Sequence, residues 1–95
     1  MIVYIAGPMK GIENHNVPAF MKAHSALQKR GYIVLNPCML PDNMPDDKYL
    51  PICMAMLQQA DAVYMLRGWE KSLGATTEKL YAERQGIDIY YEEEV

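Results

Sequence analysis

The clearest fold signal lies in residues 62–78, where the apolar run AVYML at 62–66 is followed by the glycine-bounded turn GWEKSLG at 68–74 and a helical pattern. A short run that is apolar throughout is typical of a strand buried on both faces of a parallel sheet. The turn therefore leaves the carboxyl end of a strand, where ligands bind in open α/β sheets and the next helix presents its amide groups. We expect Glu78, one turn inside that helix, to face this crevice.

Strand-like and helical segments alternate on either side of this stretch. Further strands are predicted at residues 1–5, 32–35 and 87–91. Helices are predicted from Asn16 to Gly31 with Pro18 in the first turn, from Tyr49 to Gln59 with Pro51 in the first turn, and from Leu73 to Gln85 with a stop at Gly86. This order requires right-handed crossovers and a parallel sheet. The sequence predicts one α/β domain over residues 1–95, a three-layer flavodoxin-like fold with a small four-stranded parallel sheet.

The composition and net charge of the chain limit the classes of protein to which it can belong. The chain has 95 residues, 51% of them hydrophobic and 22% charged, which suits a single globular domain that would gain from self-association. A net charge of −3 argues against binding a nucleic-acid polymer but permits a free nucleotide. No apolar run approaches the roughly 20 residues that span a membrane. Cys38 and Cys53 have no metal-ligand spacing, so we expect two free thiols in a cytoplasmic protein.

Two loops supply candidate ligand contacts. Gly7 and Gly11 bracket a loop in which Lys10 offers a cation for phosphate or carboxylate, although the spacing is neither a Walker loop nor a dinucleotide fingerprint. In the second loop, Ser72 is either the cap of the following helix or a ligand contact, and these roles are compatible. Trp69 either stacks on an aromatic base or closes the rim of the core.

The sequence pattern alone allows more than one role for each of three further residues. Glu78 can be a nucleophile, a general base or an ordinary helix residue. Tyr4 either belongs to the core or places its hydroxyl in the crevice. His24 lies beside an apolar helix stripe, and nothing near it in sequence orients it as a base, so a structural role is expected. The loop at 38–47 either covers a pocket or merely connects two elements.

Three segments together resemble the nucleoside 2-deoxyribosyltransferase-like superfamily: YIAGPMKG at 4–11, LQQADAV at 57–63, and GWEKSLGA at 68–75 with Glu78. The resemblance covers almost the whole chain and is closest to a small domain-of-unknown-function branch that is common in bacteriophages and prophages. It implies N-glycosidic cleavage or transfer on a deoxynucleoside, or hydrolysis of a 2'-deoxynucleoside 5'-monophosphate. It also implies homo-oligomers and no metal or redox cofactor, with the loop at 41–45 or the acidic tail at 92–95 reaching a neighbour's pocket.

The resemblance also implies roles for individual residues. Glu78 matches the catalytic glutamate nucleophile, and Tyr4 matches a tyrosine that contacts the nucleophile or the sugar. Ser72 matches the serine that binds the 5'-phosphate in the nucleotide-hydrolase branch, whereas transferases have an aspartate there. The implied substrate-binding set is Gly7, Pro8, Met9, Lys10, Gly11, Trp69, Ser72 and Gly74.

One residue departs from the family pattern. Cys53 stands where the family has a catalytic aspartate, eight residues before Asp61. A thiol cannot replace the charge of a carboxylate, so Asp61 or another acid would have to substitute for it. Two hypotheses follow: a glycosidic enzyme with Glu78, Tyr4 and Asp61 as catalytic residues, or a non-catalytic phage-type protein that sequesters a nucleotide or nucleotide-derived signal or contacts a host protein. A domain with a purely structural role is the third.

Overall fold

The computed structural model of the protein describes residues 1–92 and has the predicted three-layer flavodoxin-like fold. Its strands are β1 (Ile2–Ala6), β2 (Ile33–Leu35), β3 (Ala62–Met65) and β4 (Asp88–Tyr91), and its helices are α1 (Val17–Lys29), α2 (Asp46–Gln58) and α3 (Leu73–Gln85). The strands form one parallel sheet in the order β2-β1-β3-β4. The predicted alternation of strands and helices is therefore confirmed.

The two faces of the sheet are covered by different helices. On one face, α1 contributes Phe20, Ala23 and Leu27, which pack with Val3 and Ile5 of β1. The other face carries α2 and α3, and its buried residues are Tyr4, Ala6, Cys53, Leu57, Ala60, Val63, Met65, Ala75 and Ala82. Because successive side chains of a strand point to opposite faces, Tyr4 belongs to the layer of α2 and α3.

The carboxyl ends of β1 and β3 form the switch point of the sheet. From β1 the chain runs through α1 to β2 on one side, and β3 lies on the other side of β1. In open α/β folds ligands bind outside such a divergence, and we call this expected site the β1–β3 crevice. The chain segments that follow β1 and β3 approach each other closely. A Cβ at Gly7 would lie 2.7 Å from the Cβ of Leu66, closer than real Cβ contacts come. Gly7 is therefore required by the fold.

The second helix differs from its prediction. It begins at Asp46 instead of Tyr49, directly after Pro45 in an extended conformation. Pro51 consequently lies in the interior of α2, and its placement in the first turn was wrong. Proline has no amide to donate to the carbonyl of Asp47, but the exposed surroundings of Pro51 leave that carbonyl accessible to water.

The start of α1 at Asn16 lacks a side-chain cap. Asn16 occupies the N-cap position with a left-handed φ of 62°, and its side chain makes no capping hydrogen bond. Instead its Nδ2 donates to the carbonyl oxygen of Pro8 at 2.9 Å. Asn16 thus ties the start of α1 to the loop that follows β1.

Smaller differences concern the strand ends and the connections. The predicted strands at 1–5, 32–35, 62–66 and 87–91 each differ from the observed bounds by one residue at one or both ends. In the loop at 38–47, the hydroxyl of Tyr49 donates to the carbonyl oxygen of Pro41, so α2 holds the loop. Of the acidic tail, Glu92 accepts a hydrogen bond from the amide of Arg67 at 2.8 Å. The expectations for residues 93–95 lie outside the described residues.

Two sequence expectations concern the thiols and the membrane. Cys38 and Cys53 are both free cysteines, as predicted. Among residues 1–92, none of the helices has the length and apolar character needed to cross a bilayer.

Candidate functional site

A hydrogen bond between β1 and α3 forms the centre of the candidate site. The hydroxyl of Tyr4 donates to Oε2 of Glu78, and the two residues are 1% and 5% exposed. Glu78 reaches the sheet because it lies on the inner face of α3 between Ala75 and Ala82, which are both buried. These two small side chains let the helix approach the sheet closely and leave the space that the longer carboxylate fills.

Burial changes the acidity of both partners. Desolvation raises the pKa of Glu78 to about 7, and the hydrogen bond from Tyr4 opposes this rise without cancelling it. Burial also raises the pKa of Tyr4, and the negative charge of Glu78 raises it further. Tyr4 therefore remains a hydrogen-bond donor, while Glu78 exchanges its proton near neutral pH. A carboxylate of this kind can act as a nucleophile or a general base.

Cys53 of α2 is the third polar side chain at the centre. Burial raises the pKa of its thiol, the nearby Tyr4 hydroxyl opposes this rise, and the charge of Glu78 adds to it. The net result is a raised pKa, so the thiol stays protonated at neutral pH. Cys53 thus lies where the resemblance requires an acid, yet it cannot supply a negative charge there.

The start of α3 is capped by Ser72. Its Oγ accepts a hydrogen bond from the amide of Ala75 at 3.1 Å, so the capping interpretation is confirmed. The amides of Leu73 and Gly74 precede the first intrahelical bond, at the end of the helix that attracts anions. A Cβ at Gly74 would meet only the Oγ of Ser72, at an ordinary 3.9 Å. The packing of the fold therefore does not require glycine at this position, and a role in ligand approach stays a prediction.

The loop at 7–11 divides into a packed part and an exposed part. Besides Gly7, Pro8 is buried and Met9 packs against the core beneath α1. Lys10 and Gly11 are exposed, and Gly11 adopts a φ of +79° that disfavours other residues. Within this loop, Lys10 and Gly11 are thus the most exposed residues.

Trp69 packs at the rim of the core. Its ring lies 6.0 Å from that of Tyr91 at an interplanar angle of 39°, and Nζ of Lys79 is 5.3 Å from its centroid. With Met65, these two rings line a cavity of about 240 Å³ at the ends of β3 and β4. The rim interpretation therefore describes Trp69 in this structure, and stacking on a base stays a prediction.

Two predicted polar residues lie away from the Tyr4–Glu78 pair. Asp61 accepts a hydrogen bond from the amide of Ile2 at 2.8 Å, at the amino ends of β1 and β3. The structure gives it a structural role at the opposite end of the strands from the crevice. His24 contacts buried Asn36, with 3.1 Å between its Nδ1 and the amide Nδ2, which agrees with the expected structural role. Sequence analysis did not single out Asn36, although a polar residue between a strand and a proline was the available signal.

A comparison of the sequence with known protein families identifies the family of the chain. The chain matches the family model described as "Domain of unknown function (DUF4406)" over residues 1–91. The protein belongs to the DUF4406 family. The match includes every strand and helix, so Tyr4, Cys53 and Glu78 all lie within the family domain. The comparison with curated proteins gives no match.

In the DUF4406 domain, the three polar side chains at the centre of the site come from three different elements. Strand β1 supplies Tyr4, α2 supplies Cys53 and α3 supplies Glu78, all on one face of the sheet. Within residues 1–92, no three His, Cys, Asp or Glu side chains are grouped to hold a metal ion. The residues that the domain brings together are equipped for nucleophilic or proton-transfer chemistry beside an anion-attracting helix end.

Proposed function

We propose that the protein cleaves or transfers at the N-glycosidic bond of a 2'-deoxynucleoside 5'-monophosphate or deoxynucleoside, with Glu78 as the nucleophile. The observation that carries the proposal is the buried Tyr4–Glu78 hydrogen bond on the face of α2 and α3. Residues 4–11, 57–63 and 68–78 support it by their resemblance to the nucleoside 2-deoxyribosyltransferase-like superfamily.

The first step uses the ionised form of Glu78. Tyr4 holds Oε2, which leaves Oε1 to attack the anomeric carbon as the bond to the base breaks. The bonding electron pair leaves with the base, which takes up a proton from water, and the sugar becomes an ester of Glu78. Attack by water or by a second base on the same carbon then breaks the ester and regenerates the carboxylate.

The start of α3 and the exposed part of the first loop would hold the rest of the substrate. The amides of Leu73 and Gly74, together with Ser72, suit the 5'-phosphate of a nucleotide. Lys10 offers a cation from the loop after β1. Because Glu78 is only 5% exposed, the sugar must displace part of the crevice lining before it reaches the carboxylate.

A second candidate function is the binding of a nucleotide or nucleotide-derived signal without turnover, in a protein of phage type. The observation that favours it is the protonated Cys53 thiol beside Tyr4, where the resembling enzymes have an acid. Without that acid, no charged side chain at position 53 protonates the departing base or orients the sugar. Binding, in contrast, depends on the helix end and the loop, which Cys53 does not form.

Base release separates the two candidates. The purified protein is incubated with each 2'-deoxynucleoside and its 5'-monophosphate, with and without an acceptor base, and the free base is measured by chromatography. The enzyme proposal predicts release that is lost in Glu78→Gln and kept in Glu83→Gln, an exposed position on the same helix. If no base is released from any of the substrates, the enzyme proposal is wrong. Calorimetry showing a tight complex whose ligand is recovered unchanged then supports the binding proposal.

A further inference from the structure

The two faces of the sheet are covered unequally. Helices α2 and α3 lie on the face of Tyr4 and Glu78, whereas on the opposite face α1 packs mainly over β1 and β2. Beside α1, over β3 and β4, this leaves a groove of about 720 Å³. We call it the α1-side groove, and the polar and aromatic residues that characterise its lining are Lys22, Arg30, Tyr32, Tyr64, Arg67 and Tyr90.

Two tyrosines form the floor of the groove. Tyr64 of β3 and Tyr90 of β4 are register partners in neighbouring parallel strands. Both point away from α2 and α3, because Val63 and Ile89, which precede them, pack in the layer of those helices. Neighbouring strands are about 4.8 Å apart, so the two tyrosine side chains leave the sheet next to each other. Tyr90 is 50% exposed, and together the pair offers a planar ring a surface on which to stack.

The charge at the groove is opposite in sign to the charge of the chain. Lys22, Arg30 and Arg67 line it, against the single carboxylate of Glu92, which already accepts a hydrogen bond from the amide of Arg67. Asp88 lies on the same face of β4 but does not line the groove. The whole chain has nine Lys and Arg residues and twelve Asp and Glu residues, so this local excess of cations does not follow from composition.

The two cations of α1 are available to a ligand. Lys22 and Arg30 are both exposed, and within residues 1–92 neither of them forms an ion pair. Three cations against one carboxylate leave an excess of two positive charges at the groove. A phosphate monoester carries about −1.5 to −2 charges at neutral pH, so it would neutralise this excess.

We propose that the α1-side groove binds a small ligand in which an aromatic ring carries a phosphate group. The ring lies on Tyr64 and Tyr90, and the cations around the groove hold the phosphate. The volume of the groove is within the range of roughly 300 to 1,000 Å³ that is usual for small-molecule sites. This binding does not rest on the proposed glycosidic activity, because the groove lies on the opposite face of the sheet from Glu78.

Calorimetric titration of the full chain tests whether both parts of the ligand are needed. The whole ligands are adenosine 5'-monophosphate and phenyl phosphate, and the separate parts are adenosine and inorganic phosphate. At least one whole ligand should bind tenfold or more tighter than either of its parts, and the tighter of the two identifies the kind of ring. Inorganic phosphate that binds as tightly as both whole ligands, or no binding of either whole ligand, would overturn the proposal.

NMR spectroscopy locates the bound ligand. Backbone amide signals of Tyr64, Tyr90 and α1 should shift on titration with the tighter ligand. Shifts confined to Leu73 and Gly74 would place the ligand at the start of α3, where the proposed substrate phosphate lies, and would overturn the groove as its site.

A pair of neighbouring charge reversals tests the cations. Arg30→Glu should weaken binding of the tighter ligand about tenfold, whereas Lys29→Glu should leave it within about twofold. Lys29 is the matched control, because it is an exposed cation at the same end of α1 that does not line the groove. Tyr90→Ala should weaken binding about tenfold through the loss of stacking. Circular dichroism checks that each variant is folded. Equal weakening by the two charge reversals, or full affinity in Tyr90→Ala, would overturn the proposal.

Discussion

The hydroxyl of Tyr4 donates to Oε2 of Glu78, so the first strand and the third helix meet through two side chains 74 positions apart in the chain. Both residues are buried, so replacing either one leaves the polar group of the other without its hydrogen-bond partner. Burial keeps the pKa of Glu78 at about 7, which lets one carboxyl group exist in both protonation states near neutral pH.

Replacing Tyr4 with Phe removes the donor and keeps the ring. Because the hydrogen bond lowers the pKa of Glu78, its loss should move that pKa further above 7. Carboxyl carbon chemical shifts followed by NMR over a pH series should show this movement. At pH 8 the variant should also lose on the order of 1.5 to 3 kcal/mol of unfolding free energy, the usual contribution of a hydrogen bond to a charged group. An unchanged pKa would show that Tyr4 does not act on Glu78.

The stability of the fold should decline as the pH rises from about 4.5 to about 7. The pKa of Glu78 is raised from its ordinary value of 4.5 to about 7, so in this interval the folded state binds more protons than the unfolded state. A rise in pH therefore favours unfolding. Above pH 7 the ionisation of this group lowers the unfolding free energy by about 3 kcal/mol. Urea unfolding across the interval measures the slope. Glu78→Gln should remove this component, whereas Glu83→Gln should keep it.

Restoring an acid at position 53 should raise turnover. Cys53→Asp places a carboxyl group beside Tyr4, and general acid–base assistance contributes typically 10²- to 10⁴-fold. We expect kcat for base release to increase on the order of a hundredfold at a pH where the new group is in its active form. Cys53→Ser is the matched control, because it changes the thiol without adding a charge, and it should give no such gain. Equal rates for the two variants would count against a missing acid as the limit on turnover.

Two glycines should respond in opposite directions to substitution by alanine. Gly7→Ala places a Cβ 2.7 Å from that of Leu66 and should destabilise the fold by about 1 to 3 kcal/mol. Gly74→Ala meets only an ordinary contact inside α3 and should stabilise the fold by about 0.5 to 1 kcal/mol. Thermal and urea unfolding of both variants measures the difference. If Gly74→Ala also weakens nucleotide binding by calorimetry, the open surface at the start of α3 takes part in recognition.

The sequence predicted most of the architecture because its local signals agree with its tertiary structure. The buried run at 62–66, the cap at Ser72 and the stop at Gly86 all act within a few residues, and each lies where the pattern indicated. Pro51 was misplaced because the start of α2 depends on the turn chemistry at Pro45 as well as on helix preference. Helix ends of this kind depend on several weak effects at once.

The candidate site was less accessible to sequence analysis than the fold. The contact between Tyr4 and Glu78 requires the register of β1 and β3 and the close approach of α3, which no local pattern contains. The partner of Trp69 is Tyr91 on another strand, so its two interpretations could not be separated in advance. Asp61, by contrast, precedes a strand, and that position already favoured the amino end of the sheet, away from the crevice.

Single-turnover reaction of the protein with a 2'-deoxynucleoside 5'-monophosphate tests whether Glu78 attacks the sugar. With the protein in excess, acid quenching followed by intact-mass measurement reports any sugar phosphate bound to the chain, and chromatography reports the base. We expect base to appear together with a transient 2-deoxyribose 5-phosphate ester, which peptide mapping assigns to Glu78 and which Glu78→Gln lacks. Base release that proceeds equally in Glu78→Gln, or no release from any of the nucleotides or deoxynucleosides, would contradict it.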